Sequence, residues 1–248
     1  MISNRLFIIS TSFNEELGIG AHIDYLNKLF NRYGIGYVII DGGSTDNTPS
    51  ILKKNPNQEG VLFTRGCTIY QAWNLGLECA KKDQYIAFLG VGDRLDELYI
   101  NDILEIIRQK NRYDIFYGSL NIRSKVRLNV SSSKKDWTCL PFPHAGTFFG
   151  KKLFEKTGGF DESYIIAGDL EWLLRLNSLS RVGNFSIKYR YIDKGLVYMR
   201  PDGISTGNSK YILKLINETF RAHYLYKTPI SIKRVLYFVF AYFKYVIK

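Results

Sequence analysis

The stretch Tyr37–Thr48, which reads YVIIDGGSTDNT, decides the fold of this chain. It begins as a short apolar run typical of a buried strand, reaches a carboxylate at Asp41, and continues through two glycines into short polar residues. The glycines permit a tight turn with the backbone close to a ligand. Thr48 and Pro49 are typical of the N-cap and first position of a helix. The stretch predicts a ligand site at the carboxyl end of a strand, with an ordinary strand–turn–helix ending in a solvated Asp as the alternative.

Similar units lie on both sides of this stretch. Apolar strand patterns and helical patterns alternate over the first 118 residues, which predicts a mostly parallel sheet with helices on both faces. Polar side chains follow three of the predicted strands, at Asn14, Asp41 and Asp93. Because parallel strands end at one edge of a sheet, we expect these side chains to converge there.

Composition limits the classes of function. The chain has 248 residues, 46% of them hydrophobic, which suits one large folded domain. Its net charge of +11 favours an anionic partner: nucleic acid, a membrane surface or an anionic small molecule. The sequence contains no recognisable helix-turn-helix, RRM or zinc pattern, so we expect no nucleic acid partner. The sequence does not decide whether the protein forms a homo-oligomer.

The cysteines and the N-terminal residues favour the cytoplasm. Cys67, Cys79 and Cys139 have no CxxC spacing, which predicts neither a zinc site nor a disulfide framework. The residues before the first strand lack the apolar region of a signal peptide, and no stretch reaches the roughly 20 apolar residues that span a bilayer.

Several motifs together resemble the inverting GT-A glycosyltransferases of family 2. They are TSFNEE (11–16), VIIDGGSTDNT (38–48), QAWNLGLECAKKDQYIAFLGVGD (71–93), GGFDE (158–162) and GDLEWLLRL (168–176). HAGTFF (144–149) and DGIS (202–205) are similar to bacterial members that build surface polysaccharides. The resemblance implies a GT-A fold with a Rossmann-like central sheet. It divides residues 1–225 into a nucleotide-sugar half (1–118) and an acceptor half (119–225).

The resemblance also assigns roles to individual residues. A carboxylate such as Asp41 can accept hydrogen bonds from a uracil N–H or ribose hydroxyls. The residues expected to bind the nucleotide-sugar are Thr11, Asn14, Glu15, Asp41, Arg65, Asn74 and Asp93.

One departure from the family pattern concerns the metal. Family members carry a DxD-like acid cluster after the fourth strand, where this chain reads Gly90-Val91-Gly92-Asp93. Asp93 is therefore the expected ligand of a divalent cation, Mn²⁺ or Mg²⁺, because a hard cation binds through one or two carboxylates plus phosphates and water. The same fold without metal dependence is one alternative. A sugar-nucleotide or glycan-binding module without catalysis is another.

The reaction needs a general base, and the resemblance implies Asp169. Inverting transfer requires removal of a proton from the acceptor hydroxyl and stabilisation of the departing diphosphate. Asp169 stands at a predicted helix start, where the helix dipole favours the ionised carboxylate, so burial is needed to keep it basic. A simple N-cap is the alternative role. Glu171 is the second candidate for the base.

Three further residues are candidates for contact with the acceptor or the diphosphate. The alternative interpretation of His144 is a core histidine with its hydrogen bonds satisfied, and that of Trp172 is core packing. The alternative for Arg200 is a solvated surface arginine. Arg200 and Lys210 flank a loop, around Gly203–Ser205, that we expect to close as a lid.

The C-terminal segment, residues 226–248, is basic and aromatic. From Ile230 onward it contains no acid, and Lys233, Arg234, Lys244 and Lys248 flank an apolar run. Such a basic amphipathic segment is typical of a membrane interface, with a helix packed on the domain as the alternative. We therefore expect a peripheral enzyme on the inner leaflet of the cell membrane.

The sequence thus predicts a hexosyltransferase. It would move a hexose or N-acetylhexosamine from a nucleotide-sugar, favoured as a UDP-sugar, to a hydroxyl of a lipid-linked saccharide in O-antigen or capsule-type synthesis.

Overall fold

A computed structural model describes residues 5–57, 60–110, 112–122, 126–128, 143–183, 185–200 and 211–246. In this part of the chain, the strands are β1 (Leu6–Ser12), β2 (Gly36–Asp41), β3 (Val61–Phe63), β4 (Tyr85–Gly90), β5 (Arg94–Leu95), β6 (Ile115–Ile122), β7 (Val126–Leu128), β8 (Phe148–Gly150) and β9 (Tyr189–Met199). The helices are α1 (Ile19–Tyr33), α2 (Thr48–Leu52), α3 (Ile69–Cys79), α4 (Glu97–Arg108), α5 (Lys151–Thr157), α6 (Gly168–Val182), α7 (Ile212–Leu225) and α8 (Ile232–Val246).

The strands form one sheet in the order β3-β2-β1-β4-β8-β6-β9-β5, with β7 paired to β6. β1 to β4 are mutually parallel, and β6 and β9 run in the same direction because β8 lies antiparallel between β4 and β6. The predicted mostly parallel α/β sheet is confirmed. The insertion of β8 separates the first half of the sheet from the second.

Two apolar layers cover the two faces of the sheet. One layer joins α1, α2 and α4 to residues such as Ile8, Ile39 and Phe116. The other joins α3, α5 and α6 to residues such as Ile9 and Phe88. The continuous apolar runs of β1, β2 and β4 follow from this arrangement, because a strand covered on both faces alternates between two buried environments.

Some predicted boundaries were wrong. Asn47, and not Thr48, is the N-cap of α2; the Thr48 hydroxyl instead accepts a hydrogen bond from the Glu15 N–H at 2.8 Å. The two strands expected around Tyr189 and Leu196 are one strand, β9. The strand expected over 140–149 is the three-residue β8, and positions 140–142 lie outside the described residues.

Candidate active site

The first part of the site lies where β1 and β2 end. Ser12 pairs with Asp41 in the sheet register, so two polar side chains stand side by side at the carboxyl edge. Asp41 is 1% exposed, and its Oδ1 accepts hydrogen bonds from the N–H groups of Gly43 (3.1 Å) and Ser44 (2.8 Å). Its Oδ2 and the Ser12 hydroxyl are buried without a hydrogen-bond partner. Buried polar atoms are normally paired, so these two atoms are available to a ligand.

Asn14 joins the loops that follow β1 and β2. Its side-chain oxygen accepts a hydrogen bond from the Thr45 N–H at 2.8 Å, and its own N–H donates to the Ser44 hydroxyl at 2.8 Å. Its φ of 54° lies in the left-handed region, which Asn tolerates better than most residues. Asn14 therefore shapes the rim beside Asp41.

Two other predicted donor-binding residues lie at the same edge. Thr11 is half-buried and pairs with Ile40 and Gly90 on the neighbouring strands. Arg65 is exposed in the loop after β3. This loop approaches the glycine turn so closely that a Cβ added to Gly43 would meet the Gly66 nitrogen at 2.8 Å.

The turn after β4 holds Asp93. Its Oδ2 accepts a hydrogen bond from the Gly90 N–H at 2.9 Å, and its Oδ1 accepts one from the Arg200 N–H at 3.0 Å. Burial raises the pKa of the Asp93 carboxyl above its usual range, although these two N–H donors and nearby Arg200 act against that rise. Asp93 thus joins the end of β4 to the end of β9.

Arg200 crosses this turn and pairs with Glu15. Its two terminal nitrogens contact the two Glu15 carboxylate oxygens at 2.7 and 2.9 Å, a bidentate ion pair. A Cβ added to Gly92, whose φ is 92°, would meet the Arg200 Cδ at 2.8 Å, so only glycine fits beneath the arginine. Arg200 is therefore half-buried in an ion pair, unlike the solvated surface arginine of the alternative prediction.

His22 lies beneath the same turn and was missed by the sequence analysis. Its Nε2 is 2.7 Å from the Ser10 hydroxyl, and its Nδ1 is 3.1 Å from Arg94. Burial, followed by the charges of Arg94 and Arg200, lowers the pKa of His22 to about 3, so the ring is neutral. The available signal was its position three residues after Ile19, on the apolar face of α1.

The acid content of the site bears on the expected cation. Within the described ranges, no group of three or more His, Cys, Asp or Glu side chains could hold a metal ion. Asp93 supplies one buried carboxylate, a hard oxygen ligand of the kind that Mg²⁺ and Mn²⁺ prefer, and each of its oxygens keeps a second lone pair. Asp93 therefore fits a cation whose other ligands are donor phosphates and water.

Asn74 has protein partners for its side chain. Its oxygen accepts a hydrogen bond from the Phe160 N–H at 2.8 Å, and its nitrogen donates to the Phe160 carbonyl at 3.0 Å and to Glu162 at 2.9 Å. The amide therefore fastens the GGFDE segment to α3. Direct contact of Asn74 with the nucleotide stays a prediction.

Asp169 lies in the first turn of α6, on the side of the sheet that α3 covers. The N-cap of this helix is Ala167, which has no capping side chain, so Asp169 is not the N-cap. Its Oδ1 accepts a hydrogen bond from the Leu170 N–H at 2.7 Å. Burial raises the pKa of the carboxyl to about 6, more than the Leu170 N–H and the Arg234 charge lower it. Such a carboxylate is ionised at neutral pH and more basic than an exposed Asp.

The segment before Asp169 is held by two residues that the sequence analysis did not single out. Tyr70 of α3 accepts hydrogen bonds from the N–H groups of Gly168 (2.8 Å) and Asp169 (3.4 Å). Glu218 of α7 accepts hydrogen bonds from three preceding backbone N–H groups. The signal for Glu218 in the sequence was its position as the single acid of α7.

Glu171, the second candidate for the base, is bonded to other side chains. It is buried in a bidentate ion pair with Arg175 (3.0 and 2.9 Å), and the Tyr226 hydroxyl donates to it at 2.5 Å. Both of its carboxylate oxygens are thus occupied by donors within the protein. Glu171 is therefore placed as a structural residue.

The interpretation of Trp172 as a wall of the acceptor site is corrected. Trp172 is fully buried, stacks on Phe154 with ring centroids 4.3 Å apart, and donates its indole N–H to the Thr157 hydroxyl at 2.8 Å. It packs in the core between α5 and α6, which was the alternative.

His144 belongs to an aromatic cluster. Its ring stacks on Trp73 and Phe88 at centroid distances of 4.8 and 5.1 Å. Burial lowers its pKa to about 3, so the ring is neutral and gives no positive charge to a diphosphate. Its Nε2 is buried without a hydrogen-bond partner, so the satisfied core histidine of the alternative is not observed either.

The C-terminal helix α8 both packs on the domain and exposes an apolar face. Phe238 is buried and meets Phe220 of α7 at 6.3 Å between ring centroids. Leu236 and Phe240, four residues apart, are 62% and 70% exposed. No helix in the described part of the chain is long and apolar enough to cross a bilayer. The predicted lid, Gly203–Ser205 with Lys210, lies outside the described residues.

The fold and this edge define a class: an α/β protein with a buried acid at each of two strand ends and a third acid at a helix start. Residues 7–168 match the family described as glycosyl transferase family 2, and the chain belongs to this family. It is a glycosyltransferase with a GT-A fold, as the sequence motifs predicted.

Relatives and solved structures agree with this assignment. The uncharacterized glycosyltransferase Rv1514c of Mycobacterium tuberculosis is 27% identical over 178 residues, which are 68% of this chain and 67% of that protein. S. aureus TarS superposes with a TM-score of 0.60 at 15% identity, over 89% of this chain and 43% of TarS. This chain therefore spans less than half of TarS.

A mannosyltransferase, PcManGT from Pyrobaculum calidifontis, was solved with GDP-Man and Mn²⁺. It superposes with a TM-score of 0.58 at 12% identity, over 85% of this chain and 60% of that chain. A shorter form of TarS was solved in complex with UDP, and its TM-score is 0.60 at 15% identity, over 86% of this chain and 66% of that chain. At these identities the likeness concerns the fold.

Proposed function

We propose that this enzyme is an inverting hexosyltransferase that transfers a hexose or N-acetylhexosamine from a UDP-sugar to a hydroxyl of a lipid-linked saccharide, in O-antigen or capsule-type synthesis. The observation that carries the proposal is the unpaired hydrogen-bonding capacity of Asp41 Oδ2 and Ser12 Oγ at neighbouring strand ends. A uracil N–H or a ribose hydroxyl would donate to the Asp41 oxygen, and Ser12 would donate or accept beside it.

Asp169 is the proposed general base. It removes the proton from the acceptor hydroxyl while that oxygen forms a bond to the anomeric carbon of the donor. The bond from this carbon to the diphosphate breaks, and the nucleoside diphosphate leaves with the electron pair. A base whose pKa is raised to about 6 combines ionisation at neutral pH with improved proton affinity.

The leaving diphosphate carries charge that the site must stabilise. Asp93 would hold a divalent cation together with the diphosphate oxygens, and that cation would neutralise the developing charge. The Arg200 guanidinium, fixed by Glu15 beside the same turn, adds positive potential there. Exposed Arg65, in the loop after β3, is a second source.

A donor panel tests this proposal. The full-length protein is incubated with UDP-, GDP- and dTDP-sugars and a short polyprenyl-diphosphate-linked N-acetylglucosamine, with Mn²⁺ or with EDTA, and nucleotide release and the glycosylated product are measured. We expect transfer from a UDP-sugar, with inversion at the anomeric carbon, and loss of activity in EDTA. Transfer from GDP-sugars alone would contradict the donor, and transfer to soluble sugars alone would contradict the acceptor.

The exposed face of α8 supports the proposed location on the inner leaflet. Leu236 and Phe240 are spaced by four residues, so they share one side of the helix, and Ile232 (78% exposed) extends the same stripe. Lys233, Arg234 and Lys244 add positive charge without any acid in this helix. Such a helix binds an anionic membrane surface through apolar area and electrostatic attraction.

Vesicle flotation tests this location. We expect the protein to float with vesicles that contain phosphatidylglycerol and much less with phosphatidylcholine alone. Leu236→Glu with Phe240→Glu should abolish flotation, whereas Leu98→Glu, a change at a 57% exposed leucine of α4, should not. Equal flotation of the double variant and the wild type would contradict a membrane role for α8.

A further inference from the structure

The N-terminus of α6 carries no capping side chain of its own. Its N-cap is Ala167, and the first N–H groups of any helix have no partner within that helix. These groups also carry partial positive charge and attract an anion. In α6 they include the N–H groups of Gly168 and Asp169, so the contacts of this turn and of the segment that leads into it set where the Asp169 carboxylate lies.

A carboxylate from α7 holds residues 165–167, the segment that leads into this N-terminus. Glu218 Oε1 accepts a hydrogen bond from the Ile165 N–H at 2.9 Å, and Oε2 accepts from Ile166 at 2.8 Å and Ala167 at 2.9 Å. Glu218 is 4% exposed. Each hydrogen bond to a charged group stabilises a structure by roughly 1.5 to 3 kcal/mol, so three on one carboxylate hold the segment firmly.

Tyr70 continues the series from the opposite side. Its hydroxyl accepts hydrogen bonds from the Gly168 and Asp169 N–H groups and donates to the Ile166 carbonyl at 2.7 Å. Five successive N–H groups, from residue 165 to 169, are thus taken by two side chains. A Cβ on Gly168 would lie 2.7 Å from the Tyr70 ring, so this contact is close.

We propose that Glu218 is a positioning residue for Asp169: it holds residues 165–167, which lead into α6, and so fixes the base relative to the donor site. This inference rests on the proposed role of Asp169. Glu218 lies outside residues 7–168, the part that matches the family. The enzyme would therefore depend on α7 for the placement of its base.

The charge of Glu218 has a second consequence. The charged or titratable groups that face Asp169 are Glu218 on α7, which raises its pKa, and Arg234 on α8, which lowers it. Tyr70 on α3 faces it as well, and its own pKa is raised, mainly by burial. A neutral residue at position 218 removes a negative charge near Asp169, so the pKa of Asp169 should fall.

The test compares Glu218→Gln with the wild-type full chain, using UDP-sugar and the polyprenyl-diphosphate-linked N-acetylglucosamine probe. We expect kcat to fall 10- to 100-fold, because an ångström-scale misplacement of a reacting group costs about that much. The dissociation constant for UDP should stay unchanged, and the acid limb of the pH–rate profile should move to lower pH.

Two controls separate positioning from general stability. Lys214→Ala removes the 3.8 Å ion pair with Glu218 and leaves the three N–H contacts, so its kcat should match the wild type. Glu105→Gln makes the same chemical change at an exposed glutamate of α4. Amide hydrogen exchange of residues 165–167 should rise in Glu218→Gln alone.

Several outcomes would overturn the inference. One is a Glu218→Gln variant with wild-type kcat and pH profile, and another is a loss of kcat that follows only the unfolded fraction. Unchanged exchange at residues 165–167 would show that other contacts hold the segment. Failure of the proposed function is distinguishable, since the wild type itself would then transfer no sugar, while the exchange result would still report on the contacts of Glu218 with residues 165–167.

Discussion

The donor edge and the surroundings of Asp169 are built in different ways. At the donor edge, the carboxyl ends of β2 and β4 on either side of β1, Asp41 accepts hydrogen bonds from N–H groups two and three residues further along the chain. Asp93 accepts one from an N–H group three residues before it and one from the distant Arg200 N–H. Asp169 depends on Tyr70 and Glu218, which are distant in the chain. The carboxylates at the strand ends are therefore held mostly by local contacts, whereas the backbone at the proposed base, Asp169, is held by side chains distant in sequence.

Replacement of Asp169 is expected to have the largest effect. Asp169→Asn keeps the size of the side chain and removes its ability to take a proton. General base catalysis contributes typically 10²- to 10⁴-fold, so we expect kcat for sugar transfer to fall by about that factor. UDP affinity, measured by calorimetry, should be unchanged because the donor edge is built separately.

The matched control for this variant is Asp102→Asn on α4, an exposed aspartate that undergoes the same change. Its transfer rate should equal that of the wild type. Normal turnover by Asp169→Asn would remove Asp169 as the base.

The second change addresses the donor edge. Asp41→Asn places an N–H₂ group at one carboxylate oxygen position, either against the Gly43 and Ser44 N–H groups or against the ligand. Loss of a hydrogen bond to a charged partner costs about 1.5 to 3 kcal/mol, so the dissociation constant for UDP should rise roughly 10- to 100-fold. Calorimetry with Asp102→Asn as the control measures this, and unchanged UDP affinity would place the nucleoside elsewhere.

The sequence predicted the positions of Asp41 and Asp93 at strand ends better than it predicted the contacts around Asp169. Short apolar runs ending in glycine and acid determine strand ends, and parallel strand ends share an edge, so Asp41 and Asp93 could be placed from local patterns. Partners of an isolated helix start are set by tertiary packing, so neither Tyr70 nor Glu218 could be paired with Asp169 in advance.

The α6 helix illustrates the same limit. Glu171, Trp172, Leu173 and Leu174 are all buried, so the helix has no exposed side in its first turns and its periodicity did not separate a core face from a site face. Glu171, predicted as a second base, and Trp172, predicted as a wall of the acceptor site, both lie in packed surroundings.

The third prediction concerns how the burial of Asp169 changes the free energy of unfolding with pH. Its pKa is raised from 3.8 to about 6, so ionising it costs free energy in the folded state. The contribution of Asp169 to the free energy of unfolding is therefore fully present below pH about 4, where the carboxyl is protonated in both states, and is lost as the pH rises through about 6. At pH 8 the cost is at most about 3 kcal/mol, at 1.36 kcal/mol per pKa unit, and less because the carboxyl is partly exposed.

Asp169→Asn should therefore be more stable than the wild type at pH 8, by about 1 to 3 kcal/mol, and the gain should shrink as pH falls to 4. Urea denaturation at several pH values measures it. A variant less stable than the wild type at pH 8 would mean that the ionised carboxylate is stabilised and not strained, which would weaken the argument for a basic Asp169.

The smallest expected effect on transfer concerns Glu171, the neighbouring acid two positions along α6. Glu171→Gln leaves Asp169 in place together with Tyr70 and Glu218, which hold the backbone beside it, so kcat should stay within about threefold of the wild type. Its cost should appear in stability, because the variant leaves the half-buried Arg175 without its charge partner, and breaking even a fully buried ion pair destabilises by roughly 3 to 5 kcal/mol, which is the upper bound here. Tyr226→Phe, which removes only the hydroxyl contact to Glu171, should cost about 1 kcal/mol and serves as the graded control. If Glu171→Gln lost transfer as Asp169→Asn does while remaining folded, Glu171 would act as the base, alone or together with Asp169. The base would then not depend on the Tyr70 and Glu218 contacts alone for its position.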